Sequence, residues 1–430
     1  MTLFSCIGTR KLRTVDLPVT VTENEVFERG FTGFLLYDPA TKKTVYEQNA
    51  DKLFTPASNT KILTFYAASQ LLPDQIPSLT YLEQGDSLII WGTGDPSTLH
   101  PWLPANGMVR WLRERPERNI FFCPGNYRDD RYGLGWMWDD YAYAYQAEKS
   151  PLPIYGNLVR FDRDQSNVGF YVNPARFANL TVLNPNLGGN EPILVRRENE
   201  NIFEYNPRAL TGSAFEEYLP FRYQPELATA LLSDTIGRNI QLLPLQLIPP
   251  PDAPRLNGLE ADILYRELMQ ESDNFIAEQL LLLISNEYFG ALNTEDAIGF
   301  ATDSLYANLP QPLRWVDGSG LSRYNLVSPR DLVQVLEGLY FSMEQNRLFG
   351  IFPAGGQSGT LKNWYAGESG RPYVYAKTGT LSGVHCLSGY LETKSGKVLI
   401  FSFMHNNYTG SSRDYKEAMQ TVLEEIRDTY

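Results

Sequence analysis

The segment Thr55-Pro56-Ala57-Ser58-Asn59-Thr60-Lys61 begins a stretch of helical pattern that runs to Ala68. Proline and serine are typical of a helix start. Residues three apart on a helix share a face, so the amine of Lys61 can reach the hydroxyl of Ser58. A neutral lysine can act as general base for a serine, provided that desolvation or a second cation such as Lys377 lowers its pKa. Taken alone, however, the pattern favours a snorkelling lysine on a surface helix.

Strand patterns lie at both ends of the chain. Residues 34–37 and 43–47, joined by a proline-containing turn, predict a β-hairpin. Further strand patterns occur near the end of the chain, at residues 373–379, 387–393 and 398–404. A final helix is predicted at 414–427. We expect the hairpin and the last strands to form one antiparallel sheet flanked by helices, an α/β (α+β) fold.

The middle of the chain has a different sequence pattern. From residue 80 to 248, short apolar segments are broken by Gly, Pro, Asn and Asp, and the proline-dense stretch 249–254 follows. A length of 430 residues fits two or three domains. We therefore predict a strand-rich insertion at 81–254 within a discontinuous domain formed by 1–80 and 255–430.

The composition is that of a folded globular protein, with 43% hydrophobic and 20% charged residues. The formal net charge of -13 opposes binding to nucleic acid, because such binding draws on Lys and Arg facing phosphates. The sequence has no run of about 20 apolar residues, the length that spans a bilayer. We therefore expect neither a nucleic-acid partner nor a membrane span.

The three cysteines and three histidines lack the spacings of a disulfide framework or a metal site, so we predict no metal and no cofactor. The histidines, His100, His385 and His405, are expected to be packed or surface residues. Leu3-Phe4-Ser5-Cys6 is similar to the end of a bacterial lipoprotein signal, but no hydrophobic segment precedes it. Either Cys6 carries a lipid anchor or the match is chance.

Two further motifs follow in order, Ser272-Asp273-Asn274 and Lys377-Thr378-Gly379. At average residue frequencies each arises by chance about a tenth of a time in such a chain, whereas a Ser-x-x-Lys string arises about once or twice. The ordered trio is therefore a strong signal for serine acyl-transfer chemistry.

The second motif has a chemical and a structural interpretation. The Ser272 hydroxyl can relay a proton to a leaving amine, while the Asn274 amide holds Lys61 and the substrate. Ser272 and Asp273 would otherwise serve as caps of the following helix. Both roles are compatible in one segment.

The third motif ends a predicted strand. Lys377, Thr378 and Thr380 would face a substrate carboxylate, and Gly379 would let an extended peptide approach the strand edge. Backbone N–H groups of Ser58 and Thr380 would stabilise the oxyanion. A plain β-hairpin with a glycine kink explains Gly379 but not the whole string.

Together with other strings, the trio resembles the low-molecular-mass class C penicillin-binding proteins, the D-Ala-D-Ala carboxypeptidase C family. Further similar strings are Gly94-Asp95-Pro96, Gly135-Trp136-Met137-Trp138-Asp139-Asp140 and Asp317-Gly318-Ser319-Gly320-Leu321-Ser322-Arg323. The resemblance covers residues 32–404 and implies a β-lactamase/transpeptidase-like domain that carries an insertion. It also implies a serine-type D-Ala-D-Ala carboxypeptidase or endopeptidase, acting on peptidoglycan stem peptides in the periplasm and inhibited by β-lactams.

The resemblance assigns roles to individual residues. The implied catalytic residues are Ser58 as the acylated nucleophile, Lys61 as its base, Ser272, Asn274 and Lys377. The implied substrate-binding residues are Thr378, Gly379, Thr380, Asp140 and Tyr145. The last two would bind a side-chain amine of the peptide.

Three other residues are given no catalytic or substrate-binding role. Trp136 and Trp138 are expected to pack in the core. Relatives commonly place an arginine after Gly-Thr-Leu, where this chain has Lys362. This departure weakens the case for recognition of a diaminopimelate-type carboxylate.

Two other classes of protein share parts of the pattern. A β-lactamase would add a positioned Glu and water for deacylation, but it normally lacks a large insertion, and no Glu-x-x-Leu-Asn string follows Ser272. A non-catalytic cell-wall or β-lactam-binding protein of this fold would be expected to lose Ser58 or Lys61. Both residues are present, which favours an enzyme.

Overall fold

The computed structural model describes residues 24–163, 170–189, 193–210, 214–367 and 370–430. Cys6, and with it the predicted lipid anchor, lies outside these residues. The chain forms two compact units. One consists of Met1–Phe54 and Ser328–Tyr430, and the other of Thr55–Val327.

An antiparallel sheet forms the centre of the first unit. In sheet order, its described strands are Val374–Leu381, Val384–Glu392, Val398–Asn406, Phe31–Asp38 and Lys43–Gln48. The hairpin lies beside the last strands of the chain, with Leu36 opposite both Phe401 and Tyr46. This pairing confirms the predicted sheet and the mixed α/β fold.

Helices of the first unit pack against this sheet. Their bounds are Glu25–Glu28, Pro329–Ser342, Gln345–Ile351 and Ser412–Thr429. Met419, Val422 and Ile426, spaced three and four apart on the last helix, share a core cluster with Phe401 and Phe403 of the sheet. The predicted C-terminal helix is thereby confirmed.

The Lys377-Thr378-Gly379 motif lies inside the strand Val374–Leu381 rather than at its end. Strand pairing continues through the motif to Leu381 opposite Val384, and Gly383 then turns the chain with a φ of 70°. The prediction that the motif ends the strand was wrong. A well-paired neighbouring strand outweighs the weak strand preference of a single glycine.

The second unit contains one larger and two smaller sheets among its described residues. In sheet order, the larger sheet comprises Ile240–Leu242, Asn119–Phe122, Ser87–Gly92, Gln75–Gln84 and Arg255–Glu260. The smaller sheets comprise Phe215–Pro220, Leu158–Arg163 and Tyr171–Asn173, and Thr181–Leu183, Phe203–Tyr205 and Leu194–Arg196.

Strands from both sides of the predicted insertion pair with each other in the larger sheet. Gln75–Gln84 and Arg255–Glu260 run antiparallel, with Leu79 opposite Leu256. The domain division at 81–254 stays a prediction.

Two of the longer helices of the second unit, the first and the fifth in chain order below, carry motif residues. The bounds of the longer helices are Thr60–Leu71, Met108–Glu114, Pro225–Ile236, Ala261–Arg266, Asn274–Phe289 and Thr294–Ala301. Across the described parts of the chain, no helix combines the length and the hydropathy needed to cross a membrane.

Candidate active site

Ser58 lies in a short 3-10 turn, Ala57–Asn59, directly before the helix Thr60–Leu71. Ala57 has a φ of 48°, a left-handed conformation that costs about 1–3 kcal/mol in an L-residue. Gly320 approaches so closely that a Cβ atom there would lie 1.9 Å from the Ala57 carbonyl oxygen. The serine therefore sits on a strained and tightly packed turn, a feature that is common at functional sites.

Lys61 is fully buried on the same helix, one turn after the serine. Its amine contacts three oxygen atoms: Ser58 Oγ at 3.0 Å, Asn274 Oδ1 at 2.6 Å and the Ser319 carbonyl at 2.7 Å. The structure thus brings together three of the predicted catalytic residues. A snorkelling surface lysine is excluded by its burial.

Burial lowers the pKa of Lys61 to about 8, because a desolvated ammonium loses favourable hydration. The negative charges of Asp273, Asp317 and Glu278 act in the opposite direction and favour the ammonium form. The net effect places the titration of this amine close to neutral pH, where a general base is most effective.

The three oxygen contacts orient the amine in each protonation state. An ammonium group can donate to all three oxygen atoms. A neutral amine has only two N–H donors, and the carbonyl oxygens of Asn274 and Ser319 accept both. The remaining lone pair of Lys61 then points at the Ser58 hydroxyl, which is the arrangement required for proton abstraction.

The second motif lies at a junction between two helical segments. A π-helical turn, Glu267–Glu271, ends at Ser272, whose φ is 63°. Asp273 then caps the helix Asn274–Phe289 by accepting a hydrogen bond from the Ile276 N–H. The capping role proposed for Asp273 is confirmed, and it fixes the first residue of the helix beside Lys61.

The Asn274 carboxamide connects the lysine to the loop that bears Tyr145. Its oxygen faces Lys61, and its Nδ2 donates to the Tyr145 carbonyl at 3.0 Å. A cavity of about 490 Å³ adjoins this contact. The lining residues are Trp102, Ala144, Tyr145, Glu267, Glu271, Ser272, Asp273, Asn274 and Phe275.

Asp140 and Tyr145 lie on this loop and contact each other. The Tyr145 hydroxyl donates a hydrogen bond to the Asp140 carboxylate, and its pKa is raised first by desolvation and then by this bond. The Tyr145 ring is 45% exposed and stacks on Tyr143. The pair is therefore accessible to a ligand.

The two tryptophans of the same loop lie in different environments. Trp138 is 75% exposed, so the prediction that it packs in the core was wrong. It begins a 3-10 turn at the surface, where its ring has no core to enter. Trp136 is half-buried and donates from its indole to Asp317 Oδ2 at 2.9 Å.

The third motif is ordered by contacts within its own unit. The buried Lys377 amine donates to the Thr378 carbonyl at 2.9 Å, and the Thr378 hydroxyl donates to Thr360 Oγ1. The exposed Thr380 pairs through its hydroxyl with His385 Nδ1 at 3.0 Å. Gly379 is buried between them in the strand. The catalytic and substrate-binding roles of these residues stay a prediction.

All three histidines are buried. Desolvation lowers the pKa of each imidazole, and it brings that of His385 to about 3. His405 pairs through Nδ1 with the Thr32 hydroxyl at 2.9 Å. No cluster of three His, Cys, Asp or Glu side chains suited to a metal occurs in the described residues.

The residues that hold the third lysine contact in place were not predicted from the sequence. Glu278 is buried on the helix of Asn274, and both of its oxygens accept backbone N–H groups, from Gly318 and Ser319. Its signal in the sequence was a single acid inside an apolar helical run. Asp317 and Ser319 were noticed only as parts of a similar string.

This arrangement of a strained serine, a buried lysine and an amide is that of the serine acyltransferases with a β-lactamase/transpeptidase-like fold. The chain matches the D-Ala-D-Ala carboxypeptidase 3 (S13) family over residues 16–219 and 261–426. It therefore belongs to that family. Membership confirms the resemblance to class C penicillin-binding proteins and identifies the chain as a serine-type D-Ala-D-Ala carboxypeptidase.

Individual relatives align along nearly the whole chain. The D-alanyl-D-alanine carboxypeptidase DacB of Haemophilus influenzae is 24% identical over 93% of this chain and 90% of its own length. The D-alanyl-D-alanine carboxypeptidase of Actinomadura sp. (strain R39) is 26% identical, over 91% of this chain and 80% of its own. The crystal structure of penicillin binding protein 4 (dacB) from Haemophilus influenzae superposes with a TM-score of 0.76 at 21% identity, covering 97% and 99% of the two chains.

Proposed function

We propose that this enzyme removes the terminal D-Ala of a stem peptide through an acyl-enzyme on Ser58. Lys61 takes the serine proton as the hydroxyl oxygen attacks the carbonyl of the penultimate D-Ala. The C–N bond then breaks, and the leaving amine takes a proton relayed by Ser272. Water, deprotonated by the same lysine, hydrolyses the ester and frees the serine.

One observation carries this proposal. The buried Lys61 amine lies 3.0 Å from Ser58 Oγ, and its lowered pKa gives it a substantial neutral fraction near neutral pH. A serine that attacks an amide needs a neighbouring base, and Lys61 is at hydrogen-bonding distance from Ser58 Oγ.

The remaining motif residues are proposed to bind the substrate. Lys377, Thr378 and Thr380 are assigned to the terminal carboxylate, with Gly379 allowing the peptide backbone to lie along the strand. The oxyanion is assigned to the backbone N–H groups of Ser58 and Thr380. Membership of the family and the presence of the complete string support these roles.

A side-chain amine of the peptide is proposed to bind at Asp140 and Tyr145. The adjoining cavity supports a cation, because the acidic side chains of Glu271 and Asp273 line it together with Glu267, whose pKa burial raises to about 7. Lys362 is exposed and replaces the arginine that relatives commonly carry. The amine is therefore the group that this site recognises best at the third position of the stem peptide.

The reaction class extends to two related substrates. A cross-linked peptide gives the same acyl-enzyme with a different leaving amine, so DD-endopeptidase activity uses the same residues. A β-lactam acylates Ser58 through its strained amide and leaves slowly. Since peptidoglycan lies outside the cytoplasm, we propose that the enzyme works there, with Cys6 as a site of lipid attachment.

Intact-mass spectrometry after incubation with benzylpenicillin tests the proposal. We expect a stable adduct that peptide mapping places on Ser58, and no adduct on a folded Ser58→Ala variant. Ser69→Ala is the matched control, because Ser69 lies on the helix Thr60–Leu71, where its hydroxyl donates to the Tyr66 carbonyl and accepts from Gln70 Nε2. Its adduct should equal that of the wild type.

The other outcomes separate the alternatives. Rapid hydrolysis of the drug without a lasting adduct would indicate a β-lactamase. Neither adduct nor turnover would indicate a non-catalytic binding protein. Wild-type acylation of Ser58→Ala would overturn the assignment of the nucleophile.

A further inference from the structure

We propose that Glu278 is a positioning residue for the catalytic lysine, acting through the backbone of Gly318 and Ser319. The inference rests on the proposed function, because it explains how the base is aimed. The oxygens of Glu278 bind backbone N–H groups, whereas the Lys61 amine is bound to Ser58, Asn274 and Ser319. Its effect is to fix the Ser319 carbonyl that accepts from the Lys61 amine.

The carboxylate of Glu278 holds the loop at two adjacent points. Oε2 accepts from the Gly318 N–H at 3.1 Å, and Oε1 accepts from the Ser319 N–H at 2.8 Å. The side chain is fully buried on the helix Asn274–Phe289. Two bonds from one planar group to successive amides fix the two peptide units that lead into Ser319 and so the position of its Cα atom. The Ser319 carbonyl belongs to the next peptide unit, whose Gly320 N–H is bound by Asp317, so Glu278 and Asp317 fix its direction together.

Asp317 fixes the same loop from the other side. Oδ1 accepts from the Gly320 N–H at 2.8 Å, and Oδ2 accepts from the Ser322 N–H at 2.7 Å. The Trp136 indole also donates to this carboxylate. On the lysine's own helix, the Thr64 hydroxyl donates to the Gly318 carbonyl at 2.7 Å. The loop is thus held on both flanks of Ser319.

The position of the Ser319 carbonyl determines where the Lys61 lone pair points. The neutral amine can give one N–H to Asn274 and one to Ser319, so that its lone pair faces Ser58. If the Ser319 carbonyl moves away, the amine can rotate about its terminal bond. It then spends less time with the lone pair toward the serine, and acylation slows even though Lys61 is intact.

The negative charge of Glu278 provides a second readout of its role, the pKa of Lys61. The acids that face Lys61 are Asp273, Asp317 and Glu278, and each raises its pKa. Glu278 itself faces Asp317 and Lys149, and burial raises its own pKa to about 7, so its charge is fully present only in the upper part of the range from pH 6 to 10. Removing the charge at 278 should therefore lower the pKa of Lys61. An uncharged support of the loop would have no such effect on the lysine.

The test compares Glu278→Gln with the wild type in benzylpenicillin acylation from pH 6 to 10. The glutamine can accept only one of the two N–H bonds. We expect the second-order acylation rate to fall by about 10-fold to 100-fold, in the range of a misplaced reacting group. The rise of the rate with pH should move to lower pH, because Lys61 loses its proton more easily.

Gln279→Leu is the matched control on the next residue of the helix. Gln279 is equally buried, and it bonds to Ser150 and Gly94 instead of the loop at 318–319. We expect this variant to lower the melting temperature while the pH profile stays where it is. Glu278→Asp keeps the charge and should retain the wild-type profile with a reduced rate.

Three results would overturn the assignment. In the first, folded Glu278→Gln acylates at the wild-type rate and its pH profile does not move. In the second, the variant loses stability and acylation rate together while its pH profile does not move, as expected if the residue only supported the fold. A wild type that shows no acylation at any pH would overturn the proposed function, and the positioning role with it, whereas the first two results leave the proposed function intact.

Discussion

Asn274 Oδ1 accepts a hydrogen bond from Lys61 Nζ at 2.6 Å, although the two residues are 213 positions apart in the chain. The other end of the same carboxamide donates to the Tyr145 carbonyl at 3.0 Å. One side chain therefore ties the base to the loop that bears the proposed amine-binding residues. This contact makes the geometry of the base dependent on a segment that lies far from it in sequence.

Replacing Lys61 should remove most of the acylation activity. Lys61→Ala lacks the base, and Lys61→Arg keeps a cation that does not deprotonate near neutral pH. We expect both variants to acylate more slowly by about 10²-fold to 10⁴-fold, the usual contribution of a general base. Stopped-flow measurement with a chromogenic β-lactam gives the rates, and a Lys61→Arg variant with the wild-type rate would contradict the role.

The pH dependence of acylation should report the lysine directly. Burial lowers the pKa of Lys61 to about 8, and only the neutral amine is a base. The rate should therefore rise as the pH increases through about 8 and level off above it. An acylation rate that is flat between pH 6 and 9 would show that Lys61 does not titrate in the rate-determining step.

Asn274→Asp should move this profile in the other direction. The new carboxylate lies next to the Lys61 amine and favours its charged form, so the rise of the rate with pH should shift to higher pH. Asn293→Asp is the control: Asn293 caps a different helix by accepting the Asp296 N–H, and its Nδ2 donates to the Arg128 carbonyl. Aspartate keeps the cap and loses the donor, as it does at 274, but adds no charge beside Lys61. An unchanged profile for Asn274→Asp would argue against the contact with Lys61.

Local spacing made part of the site predictable. Ser58 and Lys61 are three residues apart, so their spacing predicts that the two side chains meet if the segment is helical. The helix Thr60–Leu71 begins there and brings them together. The contact of Asn274 with Lys61 was expected only because the second motif is known from similar proteins. Alternating and apolar patterns likewise located the strands of the antiparallel sheet.

Other parts of the site depend on tertiary packing that no local pattern encodes. The Ser319 contact uses a backbone carbonyl, which every residue has, so its identity carries no signal. Glu278 stands in an apolar run, where its sequence predicts only an unfavourable buried charge. Trp138 was expected in the core because tryptophan is usually buried, but it lies on a surface loop and is 75% exposed.

Gly320→Ala should damage the serine turn. Gly320 has a φ of 83°, and a Cβ atom there would lie 1.9 Å from the Ala57 carbonyl oxygen and 2.8 Å from Thr60 Oγ1. The backbone would have to move to remove this overlap, and the movement would displace the turn that carries Ser58. We expect a loss of more than about 1 kcal/mol in the free energy of unfolding, together with slower acylation.

Gly299→Ala separates this effect from the general consequence of replacing a glycine. Gly299 lies in the helix Thr294–Ala301, and apart from its chain neighbours and the backbone of that helix nothing lies within 4 Å of its Cβ position. There the substitution should stabilise the protein by about 0.5–1 kcal/mol and leave acylation unchanged. Thermal unfolding and acylation of the two variants, measured in parallel, decide the matter. If Gly320→Ala matches Gly299→Ala in both measurements, the turn at Ser58 does not depend on the close approach of Gly320.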